Sequence, residues 1–310
     1  MRREKIILDV DPGHDDAIAI LLAARADNLD LRGITVVAGN QILEKTLNNT
    51  LNIVNYADLK VPVYKGMAKP LVRKQVTAGH IHGESGLDGP DFPSLTLEAE
   101  KKHAVDFIID EALKAEEGIT LVPVGPLTNI AAAILLKPEI KDKINRIVMM
   151  GGAYGLGNRT PAAEFNIYAD AEAADIIFKS GIDITMVGLD LTFQAQAYPE
   201  IIDRISKIGN KVTDLVVELL EFFGSTYQDF YGLKAGPLHD VCAVAKLIDD
   251  DVFTTRKMHV DIETDSSLTY GRTVCDYYDV TGKKKNAEVA LDLNKEKFWD
   301  LLCDILGHYN

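Results

Sequence analysis

Residues 5–26 have the sequence KIILDVDPGHDDAIAILLAARA and indicate the fold class most directly. The first six residues form a short apolar run rich in Ile and Val, which is typical of a buried strand. The Ala- and Leu-rich residues from Ala17 onward are typical of a helix, and an acidic segment separates the two. A strand that leads through an acidic turn into a helix predicts the first βα unit of an α/β protein.

The same order of elements recurs along the chain. Further apolar runs, each followed by a polar or glycine-rich segment, occur at residues 31–40, 119–125, 144–152 and 182–190. Helical patterns lie between them, so we expect an open, mostly parallel central sheet with helices on both faces. The carboxyl ends of such strands are where α/β proteins bind ligands. Residues 68–97 are irregular, and their length predicts a lid or a binding loop.

Composition narrows the class of protein. The 310 residues, of which 47% are hydrophobic, contain no Pro/Gly/Ser-rich linker or obvious repeat, so we expect one domain spanning residues 1–310. Asp9 and Asp11 interrupt the first apolar run, which is too short for a signal peptide or a membrane span. The three cysteines have no CxxC spacing, which favours reduced thiols and a cytoplasmic protein. A formal charge of −14 disfavours nucleic-acid and other polyanionic partners.

Four aspartates lie within eight residues, at the junction of the first strand and helix: Asp9, Asp11, Asp15 and Asp16. Capping of the helix N-terminus explains one or two of them. Neighbouring carboxylates repel one another unless a cation lies between them, and oxygen ligands suit Ca²⁺ or Mg²⁺. The cluster therefore predicts a site for a hard metal ion. Asp240, beside His239 at the start of a later helix, is either a cap or a further ligand.

These motifs resemble a known family. DVDPGHDDAIAI at residues 9–20 is similar to the signature of the inosine-uridine nucleoside hydrolases, and VAGN, VPVGPLTNIA, MGGAYGLGN, AEFNIYADAEAA, MVGLDLT and GPLHD follow in the family's order. IHGESGLDGP and YGRTVCD resemble the bacterial pyrimidine-preferring branch. The resemblance implies an open α/β fold, a bound Ca²⁺, a homotetramer and hydrolysis of the N-glycosidic bond of ribonucleosides. Uridine and cytidine are the expected substrates, with a purine-accepting or nonspecific hydrolase as the alternative.

The resemblance also implies roles for individual residues. The expected Ca²⁺ ligands are the carboxylates of Asp11, Asp16 and Asp240 and the backbone carbonyl of Val124. The expected ribose contacts are Asp15, Asn40, Met150, Asn158, Glu164 and Asn166. In the implied mechanism, a Ca²⁺-bound water loses its proton to Asp11 and attacks the anomeric carbon. His239 and His82 are the candidates for stabilising or protonating the leaving base, with Tyr227 and Tyr231 nearby. His14 is interpreted as a turn residue.

Three other classes fit parts of the sequence. In a Mg²⁺-dependent phosphatase of the haloacid dehalogenase class, Asp9 would be the nucleophile and Asp11 the acid, but Pro12 stands where glycine is expected. A noncatalytic nucleoside-binding protein would not need a carboxylate-rich metal site. A dinucleotide-binding dehydrogenase is disfavoured because MGGAYGLG lacks the GxGxxG spacing and leads into a loop.

Overall fold

An eight-stranded sheet forms the centre of the computed structural model, which describes residues 3–309. The strands are Glu4–Val10 (β1), Leu29–Val36 (β2), Val63–Lys65 (β3), Ile119–Pro123 (β4), Ile144–Met150 (β5), Ile184–Val187 (β6), Phe253–Met258 (β7), Val260–Ile262 (β8), Thr273–Cys275 (β9) and Ala287–Leu293 (β10). The strand order in the sheet is β3-β2-β1-β4-β5-β6-β10-β7. All neighbouring strands are parallel except β10 and β7, and β8 pairs with β9 in a separate antiparallel ribbon.

Helices cover both faces of this sheet. They are His14–Arg25 (α1), Leu43–Tyr56 (α2), Gly79–His82 (α3), Ala104–Lys114 (α4), Thr128–Leu136 (α5), Phe165–Ala169 (α6), Ala171–Phe178 (α7), Leu189–Thr192 (α8), Pro199–Ser206 (α9), Lys211–Tyr231 (α10), His239–Ile248 (α11) and Lys295–Leu306 (α12). Two 3₁₀ helices, Pro138–Lys143 and Asp250–Val252, complete the elements. No helix within residues 3–309 is both long enough and apolar enough to cross a bilayer.

The side chains of β1 show how the two faces are filled. Ile6, Leu8 and Val10 pack into one apolar cluster with α1, α11 and α12, whereas Ile7 packs into a second cluster with α4, α5 and α7. This alternation is the pleat of a strand that is buried on both sides. The predicted open, mostly parallel sheet with helices on both faces is therefore confirmed. The antiparallel edge strand β7 is an addition that the βα pattern did not indicate.

A buried polar network fixes β1 against its neighbours. Oδ1 of Asp9 accepts hydrogen bonds from Nδ2 of Asn129 at 2.7 Å and from the hydroxyl of Thr35. The same Asn129 accepts from the backbone N–H of Met67 at 2.8 Å. Burial raises the pKa of Asp9 to about 7, although Asn129 and Thr35 oppose that rise. Asn129 therefore links the start of α5 to β1 and to the chain after β3.

We predict that Asn129→Ala lowers the free energy of unfolding by about 2–3 kcal/mol, because it leaves a buried carboxyl with one hydrogen bond fewer. Urea denaturation measures the loss. The matched control is Asn145→Ala, since Asn145 is exposed and its amide donates to a surface carbonyl at 3.1 Å. This control should change stability by no more than about 0.5 kcal/mol. Equal losses in the two variants would contradict the role given to the network.

Candidate active site

A cavity lies beyond the carboxyl ends of β1, β4 and β5, with about 560 Å³ of empty space that opens to solvent. The lining contains these residues that the sequence had singled out: Asp15, Asn40, His82, Val124, Met150, Asn158, Glu164, Asn166, Tyr227, Tyr231, His239 and Asp240. Asp11 and Asp16 do not line the cavity but contact residues that do, since the backbone N–H of Asn40 donates to Oδ2 of Asp11 at 2.7 Å.

Four buried aspartates form a cluster at one end of the cavity. Carboxylate oxygens of Asp15, Asp16 and Asp240 lie within 4.8 Å of one another. Asp11 joins them because its backbone N–H donates to Oδ1 of Asp16 at 3.1 Å. The other oxygen of Asp16 accepts from the backbone N–H of Gly13 at 2.9 Å. Each of the four aspartates is at most 4% exposed, so their charges have little access to water.

The negative charges of the four aspartates repel one another. Burial raises the pKa of Asp15 to about 7, with a further contribution from the charge of Asp16. The pKa of Asp11 lies well above its usual value because of burial and, next, of Asp16, and that of Asp240 does so because of burial and Asp15. Buried carboxyls in this arrangement stay ionised together only beside a positive charge.

The shape of the site fits a bound cation. Oδ1 of Asp11 is buried and has no hydrogen-bond partner within the described residues. A Cβ added to Gly39 or Gly125 would collide with the carboxyl of Asp11, so the backbone approaches this group closely. The carboxylate oxygens of the four aspartates are the kind of ligand that suits a hard divalent ion. The three carboxylates that lie within 4.8 Å of one another include Asp15, whereas the ligands predicted from the sequence include Asp11 in its place. Asp11 and Asp15 both belong to the cluster of four aspartates.

The wall next to the cluster is held by backbone hydrogen bonds. Glu164 caps α6, and its oxygens accept from the backbone N–H groups of Asn166 and Gly152 at 2.8 and 2.9 Å. Burial raises the pKa of Glu164 to about 7 against the effect of these bonds. The amide of Asn166 donates to the carbonyl of Val124 at 2.7 Å and to that of Met150 at 3.2 Å. The wall is therefore organised before any ligand arrives.

Another part of the cavity lining is aromatic. His239 lies between Thr192 and Tyr227: its Nδ1 is 2.6 Å from the hydroxyl of Thr192, and its Nε2 is 2.8 Å from that of Tyr227. Burial lowers the pKa of His239 to about 3, so the ring is neutral. Phe223 precedes Tyr227 by one helical turn and also lines the cavity. Tyr231 lies at the rim, with its hydroxyl 3.5 Å from the carbonyl of Asn158.

Some of these contacts were not predicted from the sequence. No sequence pattern points to Thr192. Phe223 lies four residues before Tyr227, and this spacing could have predicted that the two side chains share one face of a helix. The interpretation of His14 as a turn residue is wrong: it is the first residue of α1 and is completely buried. Its ring stacks on those of His82, Phe222 and Phe223, behind the cavity wall.

An α/β fold with an acidic cluster and a polar cavity at its strand ends defines a metal-dependent enzyme for a small polar substrate. The inosine-uridine preferring nucleoside hydrolase model matches residues 6–300, and the chain belongs to that family. The protein is therefore an N-glycosyl hydrolase of ribonucleosides, and the family to which it belongs is metal-dependent.

Individual relatives agree with this assignment. The chain is 48% identical over 309 residues to the pyrimidine-specific ribonucleoside hydrolase RihB of Shigella flexneri, covering 100% of this chain and 99% of that protein. A purine-preferring ribonucleoside hydrolase from Gardnerella vaginalis has a similar structure, with a TM-score of 0.91 and 34% identity over 98% of both chains. The plant nucleoside hydrolase PpNRh1 gives a TM-score of 0.91 with 30% identity, over 98% of this chain and 99% of that one.

We predict that Thr192→Val lowers kcat for ribonucleoside hydrolysis roughly tenfold with little change in KM, because His239 loses the hydrogen bond that orients its ring. Steady-state kinetics measures kcat and KM separately. Thr185→Val is the control, since Thr185 is a buried threonine of β6 that does not line the cavity. The same loss of kcat in both variants would show that the effect comes from packing.

Proposed function

We propose that the protein hydrolyses uridine and cytidine to ribose and free base, with Ca²⁺ as cofactor and Asp11 as the base that activates water. The buried aspartate cluster, in which Oδ1 of Asp11 has no hydrogen-bond partner among residues 3–309, supports the metal and the base. The pyrimidine-specific relative supports the choice of substrates. The family resemblance adds a homotetramer and a cytoplasmic location to the proposal.

The residues proposed to hold Ca²⁺ are Asp11, Asp16 and Asp240, through their carboxylates, and Val124, through its carbonyl oxygen. Calcium accepts 6–8 oxygen ligands in flexible geometry, so this set leaves room for substrate oxygens. Asp15 lies close enough to contribute a further oxygen or to bind the ribose instead. When bound, the ion lowers the pKa of a water molecule and favours the binding of sugar hydroxyls.

Asp11 is suited to remove a proton from the attacking water. Its Oδ2 is held by the N–H of Asn40 at 2.7 Å, whereas Oδ1 is free of hydrogen bonds from the described residues. One oxygen is therefore fixed while the other can accept. Burial and the neighbouring carboxylates raise the pKa of this group, so a bound cation is what would keep it ionised and able to accept a proton. A positioned base of this kind contributes about 10²–10⁴-fold to a rate.

The polar wall is proposed to orient the ribose. Asp15 and Glu164 accept hydrogen bonds from hydroxyls, while the amides of Asn40, Asn158 and Asn166 can donate or accept. Met150 provides an apolar contact between them. Because Glu164 and Asn166 are held by backbone hydrogen bonds, they reorganise little when the sugar binds. Such fixed geometry is what converts binding into a productive orientation.

The aromatic end is proposed to receive the base. As the water oxygen attacks the anomeric carbon, the C–N bond breaks and its electron pair stays on the base. Tyr227 can donate a hydrogen bond to that developing charge, and His239 acts through Tyr227, since the two side chains are 2.8 Å apart. His82 and Tyr231 also face this part of the cavity. The hydroxyl of the attacking water becomes the 1-hydroxyl of ribose. The base anion takes up one proton as it leaves, and Asp11 gives up the proton that it removed from the water, so both products are neutral.

The calcium proposal predicts that chelator-treated protein regains stability when Ca²⁺ is added. At a concentration about a thousandfold above Kd, the gain is about 4 kcal/mol, because only the folded state has the site. Asp240→Asn should lose most of this response. Asp170→Asn is the matched control, since Asp170 is a fully buried acid whose Oδ2 accepts from the hydroxyl of Thr128 and the backbone N–H of Leu71, outside the cluster. Full activity in Asp11→Ala, or absence of any divalent ion before chelation, would contradict the proposal.

The substrate proposal predicts that kcat/KM is higher for uridine and cytidine than for inosine, and about 10⁴-fold lower for 2′-deoxyuridine than for uridine. A site built for a hydroxyl leaves buried polar groups unpaired when that hydroxyl is missing. Free base and free ribose are scored separately and should appear in equal amounts. If inosine reacts fastest, the pyrimidine preference is wrong; if deoxyuridine equals uridine, the ribose contacts are wrong.

A further inference from the structure

The ribbon of β8 and β9 contacts the cavity wall without lining the cavity. Thr273, at the start of β9, is 2% exposed. Its hydroxyl accepts a hydrogen bond from the backbone N–H of Ala153 at 2.9 Å and donates one to the carbonyl of the same residue at 2.5 Å. One side chain from outside the central sheet therefore binds both polar backbone groups of Ala153, which lies in the loop after β5.

Ala153 belongs to a segment whose backbone N–H groups are all bound by side chains. We call residues 152–155 the wall segment. The acceptors are Oε2 of Glu164 for Gly152 at 2.9 Å, the hydroxyl of Thr273 for Ala153, and Oδ2 of Asp190 for Tyr154 and Gly155 at 2.7 and 3.3 Å. These four donors are not used in a helix or a strand. The position of the wall segment therefore depends on the three side chains that accept from it.

One of these three acceptors, Glu164, lines the cavity. Its Oε1 accepts from the N–H of Asn166 at 2.8 Å, and its Oε2 accepts from that of Ile167 at 3.1 Å, so two of its hydrogen bonds come from its own helix α6. The third comes from Gly152 in the wall segment. A displacement of the wall segment would remove this contact and leave the carboxylate of Glu164 less well oriented.

The ribbon approaches both the wall segment and α6 closely. Gly152 has a φ of 75°, and a Cβ added to it would lie 2.8 Å from Cγ2 of Thr273. Gly271, two residues before Thr273, has a φ of 78°, and a Cβ there would lie 2.7 Å from Cα of Tyr168 in α6. Only glycine combines this backbone conformation with so close an approach. The ribbon therefore packs directly on the two segments that bind the carboxylate of Glu164.

We propose that Thr273 is a positioning residue for ribonucleoside hydrolysis: its two hydrogen bonds fix the wall segment, and the wall segment fixes the carboxylate of Glu164 for a ribose hydroxyl. The inference rests on the proposed function, because it takes Glu164 to bind the ribose. It gives a role to the motif YGRTVCD at residues 270–276, which supplies no side chain to the aspartate cluster or to the cavity lining.

The first test is the substitution Thr273→Val, which keeps the size of the side chain and removes both hydrogen bonds. KM for uridine should rise about three- to tenfold, with a smaller change in kcat, because the carboxylate must then be ordered when the substrate binds. Thr273→Ser keeps the hydroxyl and should have a KM close to that of the wild type. A KM as high in Thr273→Ser as in Thr273→Val would overturn the role of the hydroxyl.

Thr213→Val is the matched control for a loss of stability. The hydroxyl of Thr213 accepts from the backbone N–H of Asn210 at 3.0 Å and donates to the carbonyl of Asn210 at 2.7 Å, the same pair of bonds that Thr273 makes. Thr213 lies ten residues before Phe223 on α10, about 15 Å along the helix from the cavity. Both Val variants should lose stability in urea, but only Thr273→Val should raise KM. Equal increases in KM would overturn the proposal.

A double-mutant cycle tests the path through Glu164. Glu164→Ala should raise KM by itself, and Thr273→Val should add little in that background, since the group that Thr273 positions is already absent. Independent effects that multiply in the double variant would overturn this path. An unchanged KM in Glu164→Ala alone would instead refute the ribose contact that the proposed function gives to Glu164.

Hydrogen exchange tests the two bonds without any substrate. In overlapping peptides that cover residues 150–158, the amide of Ala153 should exchange slowly in the wild type and faster in Thr273→Val. Fast exchange at Ala153 in the wild type would overturn the proposal, and this measurement remains decisive if Thr273→Val fails to fold. Failure of the wild type to release uracil from uridine would refute the proposed function, whereas the exchange result tests the hydrogen bonds of Thr273 independently.

Discussion

Repulsion among buried carboxylates is the constraint on which this site depends. Asp11, Asp15, Asp16 and Asp240 are enclosed by protein, and burial together with charges within the cluster raises the pKa of Asp11, Asp15 and Asp240. Two segments separated by 225 residues meet here, with the backbone N–H of Asp240 3.3 Å from Oδ2 of Asp15. Such an arrangement is costly to fold unless a cation offsets the charges. The fold and its cofactor are thus coupled at this point.

The rest of the molecule holds the two segments in place. α1 and α11 each begin with acidic residues and pack against each other. Both helices are buried around most of their circumference. In α1, this burial agrees with the unbroken apolar run after Asp16. The polar ends of these helices therefore meet inside the protein rather than at its surface. The backbone N–H groups of Asp11 and Gly13, between β1 and α1, donate to the carboxylate of Asp16, but no described residue donates a hydrogen bond to Oδ1 of Asp11.

The sequence predicts the sheet better than it predicts the base end of the cavity. Strands such as β1 and β4 are short apolar runs bounded by polar residues, and that local pattern is sufficient. β7 and β10 lie outside the βα pattern, so the antiparallel edge was not expected. Asp240 could be placed in the metal site only by family resemblance, because a lone acid at a helix start is also a cap. Thr192 meets His239 across 47 residues, and no local pattern encodes such a contact.

The acidic and the aromatic parts of the cavity are built largely by different parts of the fold. The acidic cluster and the polar wall lie at the ends of β1, β4 and β5, and backbone hydrogen bonds fix them. The aromatic end comes largely from α3 and α10, which pack against each other outside the sheet. A relative named as purine-preferring has the same fold at a TM-score of 0.91, while another is named as pyrimidine-specific. Under the proposed function, side chains on α3 and α10 are where base preference is expected to differ between proteins that share this sheet. The same proposal lets metal and ribose binding stay constant while base recognition changes.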